Sequence, residues 1–268
     1  MAEIVLPDFC ITFIAMENIL AVIPSRYAST RFPGKPLALV HGVPMVVRTF
    51  RQAAKVFPDV CVATDDERIL KTVLDNGGRA VMTSADHRSG TDRCLEALHK
   101  YSQESGKSFE GVINVQGDEP FISTLQLETL ARTLMSDGVD IATIVKRAES
   151  VSDLEDANRP KVVVDKDMNA LYFSRSLIPF HRGGTLTDDM LGDLPYYLHV
   201  GLYGYRRAAL EKICALEESF LEKCEKLEQL RWLENGLKIR VAECNVQSFG
   251  VDTPEDLERV NKMDFKEL

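Results

Sequence analysis

Apolar and polar residues alternate along this chain in two kinds of block. Short runs of β-branched and small apolar residues are interleaved with stretches in which apolar positions recur every three or four residues, the marks of buried strands and amphipathic helices. "ILAVI" (19–23) reads as a strand and leads into a polar loop. Val46, Val47, Phe50, Ala54 and Phe57 then line the inner side of a helix opened by Pro44. "DVCVAT" (59–64) is the second strand, and Asp65 is placed to cap a helix carrying Ile69, Leu70, Val73 and Leu74 that stops at Gly77-Gly78. "AVM" (80–82) follows, then the polar loop "TSADHRSGTD", a helix with Leu95 and Leu98, and the strand "GVINVQ" (111–116), which breaks at "GDEP". Repetition of this kind predicts βαβ units around a largely parallel sheet, an α/β fold.

Beyond a helix at 124–135 and the strand "DIATIV" (140–145) the pattern changes. "KVVVDKDMNALYFSR" (161–175) reads as two strands joined by a polar turn, and "HVGLYGYR" (199–206) alternates in polarity, so an antiparallel insertion is expected over about 161–206. A helix of roughly 216–235 is expected next, then "KIRVAE" and "VQSFGV" as strands and "TPEDLERV" as a closing helix. Residues 19–268 form one expected domain, and 1–18 an N-terminal extension.

Composition adds exclusions. With 45% hydrophobic residues in 268, the chain can bury an ordinary globular core. A net charge of -9 argues against a general nucleic-acid or membrane-surface binder, which needs a basic face. The apolar N-terminal stretch is interrupted by Glu3 and Asp8 and has no basic n-region, so it is a poor signal peptide. Cys10, Cys61, Cys94, Cys214, Cys224 and Cys244 include no C-x-x-C pair, which suits reduced thiols in a cytoplasm.

Charge is unevenly distributed. Residues 18–58 contain no Asp or Glu, where even spreading of 41 acids would place about six, yet Arg26, Arg31, Lys35, Arg48, Arg51 and Lys55 all fall there. The loop "IPSRYASTRFPGKPLALV" (23–40) follows the first strand, at the sheet edge where open α/β folds take ligands. A forked Arg26 and a point-charge Lys35 suit a polyphosphate. The loop is not a Walker A sequence, since Pro36 follows Gly34-Lys35, and a solvated basic loop is the plainer alternative.

Other candidates are carboxylates at strand ends. Gln116-Gly117-Asp118-Glu119-Pro120 puts two acids after an apolar strand, with Gly117 permitting close backbone approach, although the same residues also make a turn. In "GVDTPEDLE" (250–258), Thr253, Pro254 and Asp256 are explained as a capping box, while Asp252 is surplus to it and could share a magnesium ion with Asp118. His199 and Tyr203 share one strand face across Gly201, and Glu228 and Gln229 sit on a helix; a half-exposed sheet face and a solvated helix surface explain these as well.

Taken together, "IPSRYASTRFPGKPL", "VATDD", "ADHRSGTDR", "NVQGDEP", "ALYFSRSLIPF", "HVGLYGYR", "LEQLR" and "GVDTPEDLERV" resemble the 3-deoxy-manno-octulosonate (Kdo) cytidylyltransferases, in that family's order over about residues 19–260. The resemblance implies a Rossmann-like nucleotide-diphospho-sugar transferase fold, usually a homodimer, that uses CTP and Kdo with Mg2+ to make CMP-Kdo and pyrophosphate, activating Kdo for lipopolysaccharide synthesis. It implies that Arg26 and Lys35 hold the CTP phosphates, that Asp118 and Asp252 bind the metal, and that Ser89, Thr91 and Arg93 lie over the cytosine. Gln116, Arg175, His199, Tyr203, Glu228 and Gln229 would surround the sugar acid. The alternatives are the same chemistry on 8-amino-Kdo or sialic acid, or a catalytically silent nucleotide-binding sensor.

Overall fold

A computed structural model describes residues 16–28, 32–246 and 249–263. Arg31 and Cys10 lie outside them. The described residues form a nine-stranded sheet in which β11 (Ile239–Glu243), β7 (Ile141–Arg147), β10 (Tyr197–Arg206), β6 (Gly111–Asn114), β1 (Ile19–Ser25), β4 (Asp59–Thr64) and β5 (Ala80–Met82) lie in that spatial order. β2 (Leu39–Val40) and β3 (Val43–Pro44) form a separate two-stranded ribbon. β1 pairs in parallel with β4 on one side, Val22 opposite Cys61, and with β6 on the other, Val22 opposite Asn114. The period of two along each strand divides the core. Leu20, Val22, Cys61, Ala63 and Val112 face one layer, and Ile19, Ala21, Ile23, Val60, Val62 and Ile113 the other.

Helices cover both faces. α1 (Met45–Ala53), α2 (Glu67–Asp75) and α4 (Thr124–Met135) pack on the second layer through Val46, Val47, Ile69, Val73, Leu127 and Leu130. α3 (Gly90–Ser105) packs on the first through Cys94, Ala97, Leu98 and Tyr101. α5 (Val151–Glu155) and α6 (Arg207–Cys214) follow β7 and β10. Because the chain runs from β1 to β4 and β5 on one side and then returns to β6 on the other, strand order reverses between β1 and β6, where a crevice opens at the carboxyl ends.

Several expected boundaries move. α2 is capped by Asp66, whose carboxylate accepts from the amides of Arg68 and Ile69; Asp65 instead pairs with Arg93 at 2.9 Å. The single helix expected over 216–235 is two, α7 (Phe220–Glu225) and α8 (Gln229–Glu234), because Lys226 turns left-handed at φ 52° after a Ser219–Glu222 capping box. β6 stops at Asn114 rather than at 116, freeing the backbone for the loop beyond. The described part of "VQSFGV" is irregular, with Gln247 and Ser248 outside the described set; α9 (Pro254–Lys262) follows with the expected Thr253–Asp256 box.

The region 161–206 is antiparallel, as expected, but it is divided. β8 (Lys161–Val164) and β9 (Ala170–Ser174) form a hairpin that joins the sheet as a branch, β8 pairing with the start of β10, whereas β10 itself is a central strand, antiparallel to both β6 and β7.

Candidate active site

The crevice between β1 and β6 is a cleft of about 290 Å³ lined by Arg26, Lys35, Ser89, Arg93, Gln116 and Asp118, together with His87, Arg88 and Gly117. β1 delivers Arg26 and β6 delivers Gln116 and Asp118 because their parallel pairing puts both carboxyl ends on one edge. Arg26 is exposed and has no ion pair among the described residues. Gly117 is needed where it stands, since a Cβ there would lie 2.9 Å from Ser25 Oγ and 3.0 Å from the Pro24 carbonyl oxygen. Lys35 starts a short 3₁₀ turn, Lys35–Leu37, entered through Gly34 at φ 73°, and the Gly34 amide closes the loop on the Tyr27 carbonyl at 3.0 Å.

A small separate core assembles the charged centre. Val40, Met45, Phe121, Val251 and Val260 pack together, joining the segment after the basic loop, the loop after β6 and the C-terminal helix. The Val251 amide donates to the Asp118 carbonyl at 2.9 Å, which seats Asp252 beside Asp118 although 134 positions separate them in sequence. Lys35 Nζ then donates to Asp118 Oδ2 at 2.7 Å and Asp252 Oδ1 at 3.2 Å. Two hard carboxylate oxygens converge on one cationic point at the edge of a basic cleft. This donor set fits magnesium, which takes one or two carboxylates and fills its other positions with phosphate oxygens and water. Asp118 and Asp252 are the residues that would hold it.

Ser89 caps α3, accepting from the Asp92 amide at 3.2 Å, so the positive end of a long helix opens on the cleft beside Arg88. Arg93 lines the cleft, but its guanidinium is buried and held by Thr83 and Asp65. Thr91 points away from the cleft lining and donates to Glu228 Oε2 at 2.9 Å. Burial raises the Glu228 pKa, against the opposing pull of Thr91 and Arg231.

Around Glu228 lies a polar and aromatic wall. Residues four apart in a straight strand are about 13 Å apart, yet the rings of His199 and Tyr203 are 5.2 Å apart, because a bulge between Val200 and Tyr203 shortens β10 locally. Gln116 Nε2 donates to the Gly201 carbonyl at this bulge, at 3.1 Å, tying wall to cleft. The Thr143 hydroxyl donates to the Leu202 carbonyl at 2.8 Å, leaving its oxygen to accept from His199 Nε2 at 3.0 Å. Burial pushes the His199 pKa down to about 3, so its ring is neutral at pH 7. Tyr203 OH, Gln229 Nε2 and Asn114 Oδ1 are buried without partners among the described residues. Buried polar atoms are normally satisfied, so this group has the character of a site that a hydroxylated ligand completes.

Arg175 is placed apart from the cleft lining. Its guanidinium donates to the carbonyls of Glu225, Ala157 and Lys226, which fixes the turn between α7 and α8 that carries Glu228 and Gln229. His87, Arg88 and Asn114 were not among the sequence candidates. The signal for the first two was available, since both belong to "ADHRSGTDR", whereas Asn114 is an ordinary strand residue until its missing partner is seen.

The cytidylyltransferase family model matches residues 20–239. This chain belongs to the cytidylyltransferase family. Within it, a Bacteroides thetaiotaomicron protein named 3-deoxy-manno-octulosonate cytidylyltransferase is 50% identical over 246 residues, covering 91% of this chain and 96% of that protein. One of the same name from Parabacteroides distasonis is 48% identical over 248 residues, covering 91% and 97%. A solved CMP:2-keto-3-deoxy-manno-octonic acid synthetase complexed with CTP superposes with a TM-score of 0.84 at 39% identity, covering 94% of this chain and 100% of that one. A Leptospira borgpetersenii cytidylyltransferase, at 17% identity and TM-score 0.56 over 91% and 85%, shares the cytidylyltransferase fold.

Proposed function

We infer that this cytidylyltransferase joins CTP and Kdo to give CMP-Kdo and pyrophosphate. The observation that carries the reading is the convergence of Lys35, Asp118 and Asp252 at the mouth of a basic cleft. The kinship with proteins named for this reaction supports it. Both substrates are anions, so their approach requires cancellation of charge, and transfer at phosphorus depends mainly on positioning and electrostatic stabilisation. Arg26, Lys35 and the N-terminus of α3 receive the triphosphate; the wall formed by His199, Tyr203, Glu228 and Gln229 receives the sugar hydroxyls. The anomeric oxygen of Kdo bonds to the α-phosphorus, the α–β bridging P–O bond breaks, and pyrophosphate leaves with its electron pair while the hydroxyl proton is lost. Neutral His199 neither repels the cations of the cleft nor competes for the sugar carboxylate.

Magnesium is part of this proposal. When bound, it polarises the α-phosphate and lowers the pKa of a hydroxyl it contacts. We also propose a cytoplasmic homodimer serving lipopolysaccharide synthesis. The contact would be built on the region around β8 and β9, where Leu171 and Phe180 are exposed; among the described residues no helix is long and apolar enough to cross a membrane. Scattering on dilution should hold the dimer mass to micromolar concentration.

The deciding experiment is pyrophosphate release from CTP with Kdo, 8-amino-Kdo or sialic acid, each with and without magnesium. Release with Kdo and magnesium is expected. Tight CTP binding with no release under any condition makes the chain a sensor, and faster release with another sugar changes the substrate.

A further inference from the structure

Arg26 and Lys35 account for only part of the acid-free stretch. Arg48, Arg51 and Lys55 remain, and the fold gathers them elsewhere. They line a second groove, of about 440 Å³, with Gln52, Pro120 and Phe121. Among the described residues no carboxylate lines it, and neighbouring Glu119 has its carboxyl against Gly250, where an added Cβ would lie 3.0 Å from Glu119 Oε1.

α1 differs from the other long helices. Each of the other five described helices of eight or more residues has a cation paired with a carboxylate three or four positions away: Lys71 with Asp75, Lys100 with Glu96, Arg132 with Glu128, Arg207 with Glu211, and Lys262 with Glu258. α1 contains no acid at all. Its cations continue past the C-terminus at spacings of three and four residues, which makes successive ones neighbours along about 10 Å of helix axis. Arg51 and Lys55 are exposed and have no ion pair among the described residues. Arg48 is half-buried, with its guanidinium 5.8 Å from the Phe121 ring centre and Nε donating to the Val40 carbonyl at 2.5 Å. Burial, and then the Arg51 charge, lower its pKa, a repulsion that an anion relieves.

We propose that the groove lined by Arg48, Arg51 and Lys55 is a second polyphosphate site that takes pyrophosphate. A row of three cations matches two joined phosphoryl groups better than one, and charge-assisted bonds from Arg to phosphate are the strong kind. The choice of pyrophosphate rests on the reaction proposed above; the attraction of the groove for a polyphosphate does not. The site is also attached to the catalytic loop. Thr49 Oγ1, whose one proton is shared between the Met45 carbonyl at 3.2 Å and the Gly117 carbonyl at 3.3 Å, and Gln52 Nε2, which donates to the Ile122 carbonyl at 3.2 Å, bring the helix that holds the groove against the loop bearing Asp118.

Calorimetric titration of the full chain with pyrophosphate in metal-free buffer tests this, with inorganic phosphate, sulfate and CTP as further probes. Two equivalents of pyrophosphate are expected for the wild type. One is expected for Arg51→Gln/Lys55→Gln, whose melting temperature and turnover stay unchanged, and one for Lys35→Gln, which weakens the cleft. Loss of the groove equivalent should appear as at least a tenfold fall in affinity measured in the Lys35→Gln background. If the wild type binds one equivalent and Arg51→Gln/Lys55→Gln none, the groove stands and the cleft assignment fails. Stoichiometry and affinity untouched by Arg51→Gln/Lys55→Gln overturn the proposal. So does sulfate or phosphate binding as tightly as pyrophosphate, which reduces the groove to general anion attraction. CTP binding there more tightly than pyrophosphate replaces the ligand with a nucleotide and overturns the assignment as well.

Discussion

Two carboxylate–cation clusters lie at opposite ends of the parallel strands, and they are built differently. At the amino end of β4, Asp59 is 2% exposed and accepts from Tyr101 OH at 2.8 Å, Arg79 NH1 at 3.1 Å and Lys107 Nζ at 2.7 Å. Burial alone would raise its pKa, but the bonds from Lys107 and Tyr101 prevail and hold the carboxyl below its usual range. At the carboxyl end, Asp118 and Asp252 are 32% and 51% exposed and both reach the Lys35 ammonium. The first sets one buried carboxylate against two cations, Arg79 and Lys107, that are themselves more than half exposed. In the second the carboxylates themselves stand open at the edge of a cleft. A carboxylate sealed from solvent marks a structural cluster, and carboxylates exposed at a cleft mark a functional one.

The largest test of that contrast is Asp118→Ala. Turnover should fall on the order of 10²–10³-fold or more, as when one preorganised electrostatic group is removed from an active site, while stability in urea changes by no more than about 0.5 kcal/mol. A large loss of stability would place Asp118 with Asp59 as a structural acid. Asp59→Ala should do the reverse. It should lower unfolding stability by about 2–3 kcal/mol, the order expected for lost hydrogen bonds to a buried charge, with turnover per folded molecule unchanged; reduced kcat in the folded fraction would break the division of roles.

A smaller effect concerns pH. Glu96 is part-buried and bonded by Lys100, the Ser84 amide and His87; burial pushes its pKa up, but these bonds bring it to about 2. Its folded pKa is therefore below its unfolded value of about 4.3, and in that interval the unfolded chain binds more protons. Its contribution is complete above the unfolded value and is lost as pH falls toward 2. Wild type and Glu96→Gln should differ in urea stability by a steady amount above about pH 5 and converge progressively as pH falls from about 4 toward 2; a difference that does not shrink over that interval would show that ionisation is not the cause. The smallest effect is Lys71→Gln, which breaks an exposed pair with Asp75 and should move stability by less than about 0.5 kcal/mol.

Much of this was legible because it is written in local patterns. The strands expected at 19–23, 59–64 and 80–82 follow from runs of apolar residues, the first extending two residues further than its apolar run, the Thr253 box from a four-residue motif, and the close backbone approach at Gly117 from a strand that ends in acids. Arg26, Lys35 and Asp118 could be proposed from strand-end position alone. What failed depends on distant partners. Asp65 and Asp66 are equally good caps by sequence, and Arg93, a buried cation needing an anion, takes the first. The apolar spacing in 216–235 fits one helix as well as two, and the turn at Lys226 becomes evident only with Arg175 bonded to the carbonyls of Glu225 and Lys226. The overlap of His199 and Tyr203 rests on a bulge that strand alternation does not announce. Likewise, nothing in the sequence near Thr91 indicates that its hydroxyl serves Glu228.

The central place of β10 bears on how the polypeptide acquires its shape during synthesis. Until residues 197–206 have emerged, β6 has a bare edge and β7 has no neighbour, since its flanking strands, β10 and β11, both lie later in the chain. A ribosome stalled, or a protease cutting, between 150 and 196 would therefore release a fragment with one edge of β6 and both edges of β7 unpaired, the kind of surface that recruits identical rows from other copies. Such fragments should precipitate where the whole chain remains dispersed, and adding the missing strand as a separate peptide should restore solubility.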